Sequence, residues 1–385
     1  MKKIIFSAIF IFSLIVQSIA SSADFNSIDW SNAPRFNNKS DFAGYIKQCE
    51  QNCKSYVPVV FTDGSLVEVD ELLKISTLSQ YIHYTWWRRG NERAIYVLYE
   101  LTFYPGTKVA YAYRTGNNSI LSAEERQLYN IAVRIVNEAN QRPTTLLKEH
   151  YIHETITERV TYYNFKWTEK TPRHCTAIGA LIDGKANCQG YADAFYMLGR
   201  MLNLNVGKMS GYSNNGKSTE AHVWNTIEFG DGRYYGVDVT WDDASFSFAD
   251  SGEYNNYIYF NAPLEIMQTT HSWEAAYFPN LYPNIDGRYF YYTQEFLDTN
   301  GRYFAFHSNT AEDALGYIAQ RIAREGWRLS WGMAPYNSQY ADVNFCVNRL
   351  VKDILPNRYH WYGYIKMNVT QRGNWLFFTV DANKN

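Results

Sequence analysis

A β-hairpin in the middle of the chain restricts the possible folds most strongly. Two runs in which apolar and polar residues alternate, 221–229 and 233–241, flank the loop Gly230-Asp231-Gly232. Alternation with a period of two predicts a strand, and a short glycine-containing loop between two such runs predicts an antiparallel hairpin. The central part of the chain is therefore predicted to contain an antiparallel sheet.

The length of the loop decides which side chains of the hairpin face one another. With three residues in the loop, Trp224 lies opposite Asp238, and His222 is the diagonal neighbour of Asp238 on the same face. Diagonal positions of a ladder are roughly 7–8 Å apart, which long side chains can bridge. The register therefore predicts a hydrogen bond between His222 and Asp238. A two-residue loop would put them on opposite faces, and a histidine without such a partner is more often a packed surface or core residue.

A cysteine is predicted at the start of a helix that follows a glycine turn. In the segment 183–195, Gly184 marks the turn and Cys188 begins the helical spacing. The helix dipole and the free N–H groups of a first helical turn favour a thiolate, which is the nucleophilic form of cysteine. The alternative is a small apolar core residue, but the turn before Cys188 favours an exposed helix start. Cys175 is a rival nucleophile, although no glycine turn precedes it.

Three blocks of the sequence resemble the signature of a known family. In order and spacing they are similar to the transglutaminase-like superfamily, and the segment 259–273 resembles the tail of its secreted bacterial members. The resemblance covers roughly residues 122–283. It implies an α+β fold with a papain-like core, in which the helix bearing the cysteine packs on an antiparallel sheet, and with small α+β flanking units. The blocks are Gly-Lys-Ala-Asn-Cys-Gln-Gly-Tyr-Ala at 184–192, Ala-His-Val-Trp-Asn at 221–225 and Val-Asp-Val-Thr-Trp-Asp at 237–242.

The resemblance also implies roles for individual residues. Cys188 would be the nucleophile, His222 the base and Asp238 the group that orients the base. Gln189 and Trp224 are candidates for the oxyanion or substrate pocket, in which the N–H of Cys188 is the surest donor. The sequence does not contain the calcium-binding loops of the large animal enzymes, so we expect no metal and no cofactor.

The N-terminus has the pattern of a secretory signal peptide. Lys2 and Lys3 precede an apolar run at 4–15, and small residues allow cleavage after Ala20 or Ala23. This run is shorter than the ~20 residues of a membrane span, and no later segment reaches that length. The predicted organisation is a signal peptide at 1–23, an N-terminal α+β unit at 24–116, a transglutaminase-like core at 117–284 and a C-terminal α+β unit at 285–385.

The two predicted flanking units share a short repeat. The pattern Asp-x-x-Gly-Tyr-Ile-x-Gln occurs at 41–48 and again at 313–320, and each copy predicts a helix. Aromatic-rich runs at 94–103 and 108–114 are predicted to be extended, because aromatic residues favour strands. The repeat therefore predicts two small units of similar build on either side of the core.

Two helices are predicted at the start of the core. Ser122 and Glu125 fit a capping box, in which each side chain accepts a hydrogen bond from the other residue's backbone N–H. A second helix is predicted near 145–157. Its two histidines, His150 and His153, are three apart and could bind zinc, but no third ligand lies nearby in the sequence. A solvent-facing pair is therefore predicted.

Export would change how the cysteines behave, because thiols outside the cytosol usually oxidise in pairs. The chain has 5 cysteines, and an odd number leaves at least one free thiol. Cys49 and Cys53 are four residues apart in a predicted helix, so that a local disulfide is one possibility. Cys175 and Cys346 are interpreted as plain buried residues, which is the commonest state of a free cysteine.

Two classes of function remain open from the sequence. The first is an exported thiol-dependent enzyme that attacks amide bonds of proteins or peptides through a thioester intermediate, as a protease, an amidase or a transglutaminase-type acyltransferase. Its partner would be a protein or peptide substrate, with cell-wall peptide among the candidates. The second is a catalytically silent binding module of the cell surface or cell wall with the same fold. An intact triad favours the enzyme, but the motif does not separate hydrolysis from transamidation.

The charge of the chain and its apolar segments restrict its partners and location. With 36 basic and 38 acidic residues, the formal net charge is −2. The chain therefore lacks the excess of positive charge that is typical of proteins that bind a nucleic-acid backbone. After cleavage of the signal, no membrane span is expected. The predicted location is therefore secreted, either extracellular or in the cell envelope.

Overall fold

A computed structural model of the chain describes most of the sequence. The predicted signal peptide at 1–23 and the predicted boundary at 284 lie outside the described residues, and the predicted domain organisation stays a prediction. The described residues are 27–67, 71–72, 76–163, 173–230, 232–243, 257–273, 296–297, 303–304, 308–325 and 330–384.

The helices of the described residues range from one turn to nearly five turns. Within these ranges, every helix falls short of the length and apolar character that a membrane span requires. In chain order the helices are α1 (Lys39–Gln51), α2 (Pro105–Thr115), α3 (Ala123–Ala139), α4 (Thr145–Arg159), α5 (Cys188–Met201), α6 (Val239–Asp242), α7 (Leu264–Met267), α8 (Ala311–Glu325), α9 (Val343–Asn348) and α10 (Leu355–Tyr359).

The strands form mostly antiparallel sheets. They are β1 (Arg35–Phe36), β2 (Tyr56–Phe61), β3 (Ser79–Trp87), β4 (Ile95–Phe103), β5 (Thr161–Tyr162), β6 (Lys185–Ala186), β7 (Asn205–Asn214), β8 (Thr219–Glu228), β9 (Tyr234–Val237), β10 (His271–Ser272), β11 (Phe296–Leu297), β12 (Tyr303–Phe304), β13 (Ser330–Pro335), β14 (Gly363–Arg372) and β15 (Trp375–Lys384).

Three sheets have more than two strands in the described part of the chain. Their orders are β1-β2-β4-β3, β10-β7-β8-β9 and β13-β15-β14. β1 and β2 pair in parallel, whereas β3, β4 and the C-terminal strands pair antiparallel. Helices and antiparallel sheets together give a mixed α/β fold, and the helix that begins at Cys188 packs on β7 of the central sheet. The predicted fold class is confirmed.

Two compact units divide the chain. The first takes its residues from Met1–Arg134, Tyr163–Asn225 and His271–Asn284, and the second from Ile135–Tyr162, Thr226–Thr270 and Ile285–Asn385. Cys188 and His222 therefore belong to the first unit, and Asp238 belongs to the second.

In the first unit, α1 covers one face of the N-terminal sheet. Phe42 and Ile46 of the helix pack in one cluster with Val57, Phe61 and Tyr99 of the strands, and all five side chains are fully buried. The rings of Phe42 and Tyr99 stack with centroids 5.3 Å apart. Burial of each such side chain stabilises the fold by ~1.5–3 kcal/mol. This part of the chain therefore has a hydrophobic core of its own.

In the second unit, α8 packs on the C-terminal sheet in the same manner. Leu315, Ile318 and Ile322 of the helix share a buried cluster with Leu376 and Phe378 of β15. The segments at 41–48 and 313–320 thus both lie in a helix that contributes to the core of a small sheet, as the repeat predicts.

The two copies of the repeat also begin their helices alike. Oδ1 of Asn38 accepts a hydrogen bond of 2.8 Å from the N–H of Asp41, and Oγ1 of Thr310 accepts one of 3.1 Å from the N–H of Asp313. In each copy, the backbone N–H of the first residue of the shared pattern therefore donates the N-cap hydrogen bond.

The predicted capping box is present at the start of α3. The N–H of Ser122 donates to a carboxylate oxygen of Glu125 at 2.7 Å, and the N–H of Glu125 donates to Oγ of Ser122 at 3.2 Å. Lys108 also contacts the Glu125 carboxylate, with Nζ at 2.6 Å from Oε2. The prediction from Ser122 and Glu125 is confirmed.

The prediction of an extended run at 108–114 is wrong, because these residues lie in α2. Pro105 stands at the beginning of this helix, and Gly116 ends it with a φ of 73°. Proline in the first turn and glycine just past the end are start and stop signals of a helix. The buried side chains Val109, Ala110 and Ala112 include two adjacent residues, which a half-buried strand would place on opposite faces.

The predicted hairpin is present, but its second strand is shorter than predicted. β8 and β9 flank the loop, and Gly230 and Gly232 have φ values of 90° and 75°, which glycine adopts without strain. The carboxylate of Glu228 accepts the N–H of Gly232 at 2.8 Å. β9 ends at Val237 instead of continuing to residue 241, because Asp238 caps the short helix α6.

Candidate active site

Cys188 is the first residue of α5, as predicted. Asn187 caps this helix, and its Oδ1 accepts a hydrogen bond of 3.3 Å from the N–H of Gly190. The Cys188 side chain is half-buried, so a reagent can reach it. A thiol in this position lies beside the positive end of the helix dipole and the N–H groups of the first turn.

The rival Cys175 lies close in the fold but in a different environment. Its side chain is only 1% exposed, and Nδ2 of Asn187 donates to its Sγ at 3.1 Å. The backbone N–H of Asn187 also donates to the carbonyl of His174 at 3.0 Å. Cys175 therefore helps to hold the residue that caps the helix of Cys188.

Gly190, two residues after Cys188, allows the backbone of His174 and the side chain of Ala186 to lie close to the first turn of α5. A Cβ atom at this position would lie 2.6 Å from the carbonyl oxygen of His174 and 2.8 Å from Cβ of Ala186. Both neighbours are backbone or short side-chain atoms, which cannot rotate away. Gly190 of the 184–192 block is therefore required by packing, because it lets the segment of His174 and Ala186 lie against the start of α5.

A buried ion pair anchors the opposite side of α5. Oδ2 of Asp193 accepts the N–H groups of Gly106 at 3.0 Å and Ala177 at 2.9 Å. Its Oδ1 lies 3.5 Å from Nζ of Lys208, which sits 4.0 Å from the centroid of the Tyr104 ring. Burial lowers the pKa of Lys208. These contacts fix the helix axis behind Cys188.

Asn225, the last residue of the 221–225 block, ties β8 to α5. Its Nδ2 donates to the carbonyl oxygens of Ala192 and Gly207, each at 3.1 Å. Ala192 lies one helical turn after Cys188. The strand that carries His222 is therefore held to the helix that carries Cys188 by a buried side-chain bond.

His222 lies in an aromatic environment in the first unit. Its side chain is 4% exposed, and its ring stacks on Trp224 at 6.0 Å and lies 5.4 Å from the ring of His271. The ring of Trp224 in turn contacts those of His271 and Trp273 edge to face. Ring nitrogens of His222 and His271 lie within 4.8 Å of each other, close enough for both to ligate one metal ion.

The two pocket candidates, Gln189 and Trp224, are both buried. Gln189 is 6% exposed and Trp224 is 1% exposed. Among the described residues, no hydrogen-bond partner reaches Nε2 of Gln189 or Nε1 of Trp224. A buried donor without a partner usually carries a cost or a function. The assignment of both residues to a pocket stays a prediction.

Asp238, in the second unit, is the N-cap of α6. Its Oδ1 accepts the N–H groups of Thr240 at 3.0 Å and Trp241 at 3.2 Å, and its own N–H donates to the carbonyl of Tyr259 at 3.1 Å. The residue is 1% exposed. Contacts within the second unit therefore fix its backbone and one carboxylate oxygen.

The prediction that His150 and His153 face solvent is wrong. Both are buried on α4, at 0% and 1% exposure. Nε2 of His150 lies 3.1 Å from the hydroxyl of Tyr257, and Nε2 of His153 lies 3.1 Å from Oδ2 of Asp242. The partners of the two Nε2 atoms lie far away in sequence, so the helical pattern alone could not reveal the burial.

Glu149, beside His150, is a fully buried carboxyl, and its Oε2 accepts a hydrogen bond of 2.8 Å from Nδ2 of Asn261. Burial raises the pKa of Glu149 to about 8. The folded protein thus keeps this proton between pH 4.5 and 8, whereas the unfolded chain loses it. Stability is therefore lost as pH rises through this window, by at most about 1.4 kcal/mol per pH unit.

We expect Glu149→Gln to raise the melting temperature at pH 8 and to leave it almost unchanged at pH 4.5. Glutamine keeps an acceptor for Asn261 but carries no charge. A shift of about 2–4 °C is expected for each kcal/mol that the variant gains. Thermal unfolding followed by circular dichroism at both pH values measures this, with Glu158→Gln, on the exposed side of the same helix, as control. An equal shift at both pH values would contradict the prediction.

The remaining cysteines are free thiols. Cys49 and Cys346 are buried and Cys53 is half-buried, so the local disulfide considered for Cys49 and Cys53 is not formed. Burial raises the pKa of Cys49, and it raises the pKa values of Cys53 and Cys346 to about 12. These three thiols are therefore poor nucleophiles at neutral pH.

Two residues of the first unit gain importance only in the structure. Asn187 caps the helix of Cys188. An Asn directly before a run of residues with helical periodicity indicates an N-cap, so the sequence could have identified this residue. His271 lies against His222, but the two are far apart in sequence. No local pattern brings them together.

Comparisons with known proteins support the resemblance seen in the sequence. The family model of the transglutaminase-like superfamily matches residues 130–239. The matched range contains Cys188, His222 and Asp238, one from each of the three blocks. It is shorter than the range 122–283 that the resemblance was expected to cover. This part of the chain is a transglutaminase-like domain. A search of the curated proteins finds no match.

Solved structures give a weaker comparison. A TGase crystal structure is 14% identical, with 54% of this chain and 59% of that chain covered and a TM-score of 0.27. The periplasmic domain of TgpA from Pseudomonas aeruginosa is 13% identical, with 41% and 57% covered and a TM-score of 0.26. LapG of Legionella pneumophila is 10% identical, with 35% and 72% covered and a TM-score of 0.23. The chain spans less than two thirds of the TGase and TgpA chains, and these scores carry no inference about activity.

Proposed function

We propose that the chain is an exported thiol-dependent enzyme that attacks amide bonds of proteins or peptides, with Cys188 as nucleophile, His222 as base and Asp238 as the group that orients the base. The observation that carries the proposal is the half-buried Cys188 at the start of a capped helix, with the strand of His222 tied to that helix through Asn225. The sequence register of the hairpin supports the pairing of His222 with Asp238.

The reaction begins with a proton transfer from the thiol of Cys188 to His222. The thiolate attacks the amide carbon, and the C–S bond forms while the carbonyl oxygen takes the negative charge. The N–H of Cys188 and the buried amide of Gln189 are the candidate donors to that oxyanion. The intermediate collapses, the C–N bond breaks, and the imidazolium gives its proton to the leaving amine.

The product of the first half-reaction is a thioester on Cys188. In the second half-reaction, His222 removes a proton from water or from an amine, which attacks the thioester carbon. The C–S bond then breaks, and Sγ regains a proton. Water gives hydrolysis and a lysine amine gives a cross-link, so both outcomes use the same residues in the same roles.

Selective alkylation tests the proposal. With less than one equivalent of iodoacetamide at pH 7, we expect Cys188 to be modified first and the buried Cys175 to stay unmodified, as peptide mass spectrometry would show. The raised pKa values of Cys49, Cys53 and Cys346 should make these thiols react slowly. If Cys188 reacts no faster than in the urea-denatured chain, the thiol is not activated and a silent binding module becomes the better proposal.

Export is part of the proposal and rests on the pattern at 1–23. Cleavage after Ala20 or Ala23 would leave Ser21 or Asp24 as the first residue of the mature chain. N-terminal sequencing of the protein from the culture medium or the envelope fraction checks this. An N-terminus that retains Lys2 and Lys3 in the cytosolic fraction would contradict export.

A further inference from the structure

We propose that His153 and Asp242 are positioning residues that hold Asp238 in place, an inference that rests on the proposed role of Asp238. All three residues belong to the second unit, and all three are at most 1% exposed. Neither His153 nor Asp242 needs to contact a substrate for this role. Their effect would pass through the backbone of Asp238.

Hydrogen bonds connect His153 to Asp238 in three steps. Nε2 of His153 lies 3.1 Å from Oδ2 of Asp242. The other oxygen of Asp242, Oδ1, accepts the N–H of Tyr259 at 3.0 Å. The carbonyl of Tyr259 then accepts the N–H of Asp238 at 3.1 Å. The carboxylate of Asp242 thus joins α4 to the backbone segment that holds Asp238.

A second route joins Asp242 to Asp238 directly. The N–H of Asp242 donates to the carbonyl of Asp238 at 3.1 Å, which closes the single turn of α6. A four-residue helix has little stability of its own, because most helical stability in proteins comes from tertiary packing. The Asp242 side chain therefore supplies the tertiary bonds that fix the turn capped by Asp238.

The ring of His153 is itself held in one orientation. It stacks on the ring of Tyr257 with centroids 5.3 Å apart and meets the ring of Phe260 edge to face at 5.0 Å. A side chain packed on two faces loses little freedom when it forms a hydrogen bond. His153 is therefore a rigid support for Asp242.

The contact between His153 and Asp242 is a hydrogen bond and not an ion pair at neutral pH. Burial lowers the pKa of His153 to about 4, although the nearby carboxyl groups of Glu154, Asp243 and Asp238 act to raise it. Burial raises the pKa of Asp242. A neutral His153 brings no positive charge near Asp238. The role of His153 is therefore geometric.

Two substitutions of Asp242 separate a positioning role from a loss of fold. Asp242→Asn keeps an oxygen for the N–H of Tyr259, and its amide can donate to Nε2 of His153. Asp242→Ala removes both bonds. A positioning role therefore predicts a defect in the alanine variant and its rescue in the asparagine variant.

The experiment measures how the alkylation of Cys188 by iodoacetamide depends on pH between 5 and 9, with peptide mass spectrometry as readout. Asp238→Asn is expected to shift the profile to higher pH, because a less stable imidazolium holds the thiolate less well. Asp242→Ala should shift it in the same direction by about one pH unit, which is about tenfold in rate at the acidic end. Asp242→Asn and the control Glu149→Gln, on the same helix as His153, should follow the wild type.

Near-UV circular dichroism shows whether each variant is folded. If Asp242→Ala does not fold, His153→Ala takes its place in the experiment. His153→Ala removes the hydrogen bond between His153 and Asp242 and leaves the hydrogen bond between Asp242 and Tyr259. We then expect a smaller shift of the profile in the same direction. If Asp238→Asn shifts the profile and neither Asp242→Ala nor His153→Ala does, the inference is wrong while the proposed triad stands. A profile that Asp238→Asn leaves unchanged contradicts the triad itself.

Discussion

Cys188→Ala is expected to abolish turnover on every substrate that the wild-type protein processes. Without Sγ no thioester can form, and neither His222 nor Asp238 supplies another nucleophile at the start of α5. Removal of a nucleophile costs about 10⁶ in rate in a comparable triad. Hydrolysis of fluorescein-labelled casein and incorporation of a fluorescent amine into dimethylated casein would measure the two outcomes of the second half-reaction.

The substitution should leave the fold almost unchanged. Cys188 is half-buried, and the cap of its helix uses Asn187 and Gly190 instead of the thiol. The melting temperature of Cys188→Ala should therefore stay close to that of the wild type. A loss of activity with an intact melting curve would then reflect chemistry alone.

Cys175 provides the matched control. Cys175→Ser keeps an acceptor for Nδ2 of Asn187, so that the cap of α5 survives, and should retain activity. Full activity in Cys188→Ala, or an equal loss in Cys175→Ser, would contradict the assignment of the nucleophile.

Local signals in the sequence predicted the elements around the candidate site well. The capping box of Ser122 and Glu125, the helix start at Cys188 and the glycine loop of the hairpin each depend on residues within a few positions of one another. Short-range hydrogen bonds and backbone preferences decide such features. They can therefore be derived before any tertiary contact is known.

Features that depend on distant partners could not be derived in the same way. Tyr257 and Asp242, about a hundred residues away in sequence, each contact Nε2 of one of the buried rings of His150 and His153. Asp238 fits a strand by alternation, but its side chain binds the N–H groups that follow it and begins a helix instead. An Asp side chain can form such local hydrogen bonds to the backbone in place of the hydrogen bonds of a strand ladder. Composition does not show which of the two arrangements forms.

Asp238→Asn is expected to reduce the rate by orders of magnitude while the hairpin stays folded. Asparagine keeps an oxygen that can accept from Thr240 and Trp241, so the cap of α6 survives. In the proposed triad, the substitution removes only the charge, and with it the stabilisation of the imidazolium that His222 would form when it takes the proton of Cys188. The corresponding change in a serine-protease triad costs about 10⁴ in rate.

The loss should fall on kcat and leave KM almost unchanged, because Asp238 is buried and, in the proposed triad, would act through His222. Steady-state kinetics on the labelled casein would separate the two constants. Asp238→Ala is the informative comparison, since it removes the cap as well, at about 1 kcal/mol, and should lower the melting temperature in addition to the rate. If Asp238→Asn keeps wild-type kcat, or if its rate falls only in step with its stability, Asp238 is a structural cap and the base must be oriented by another group.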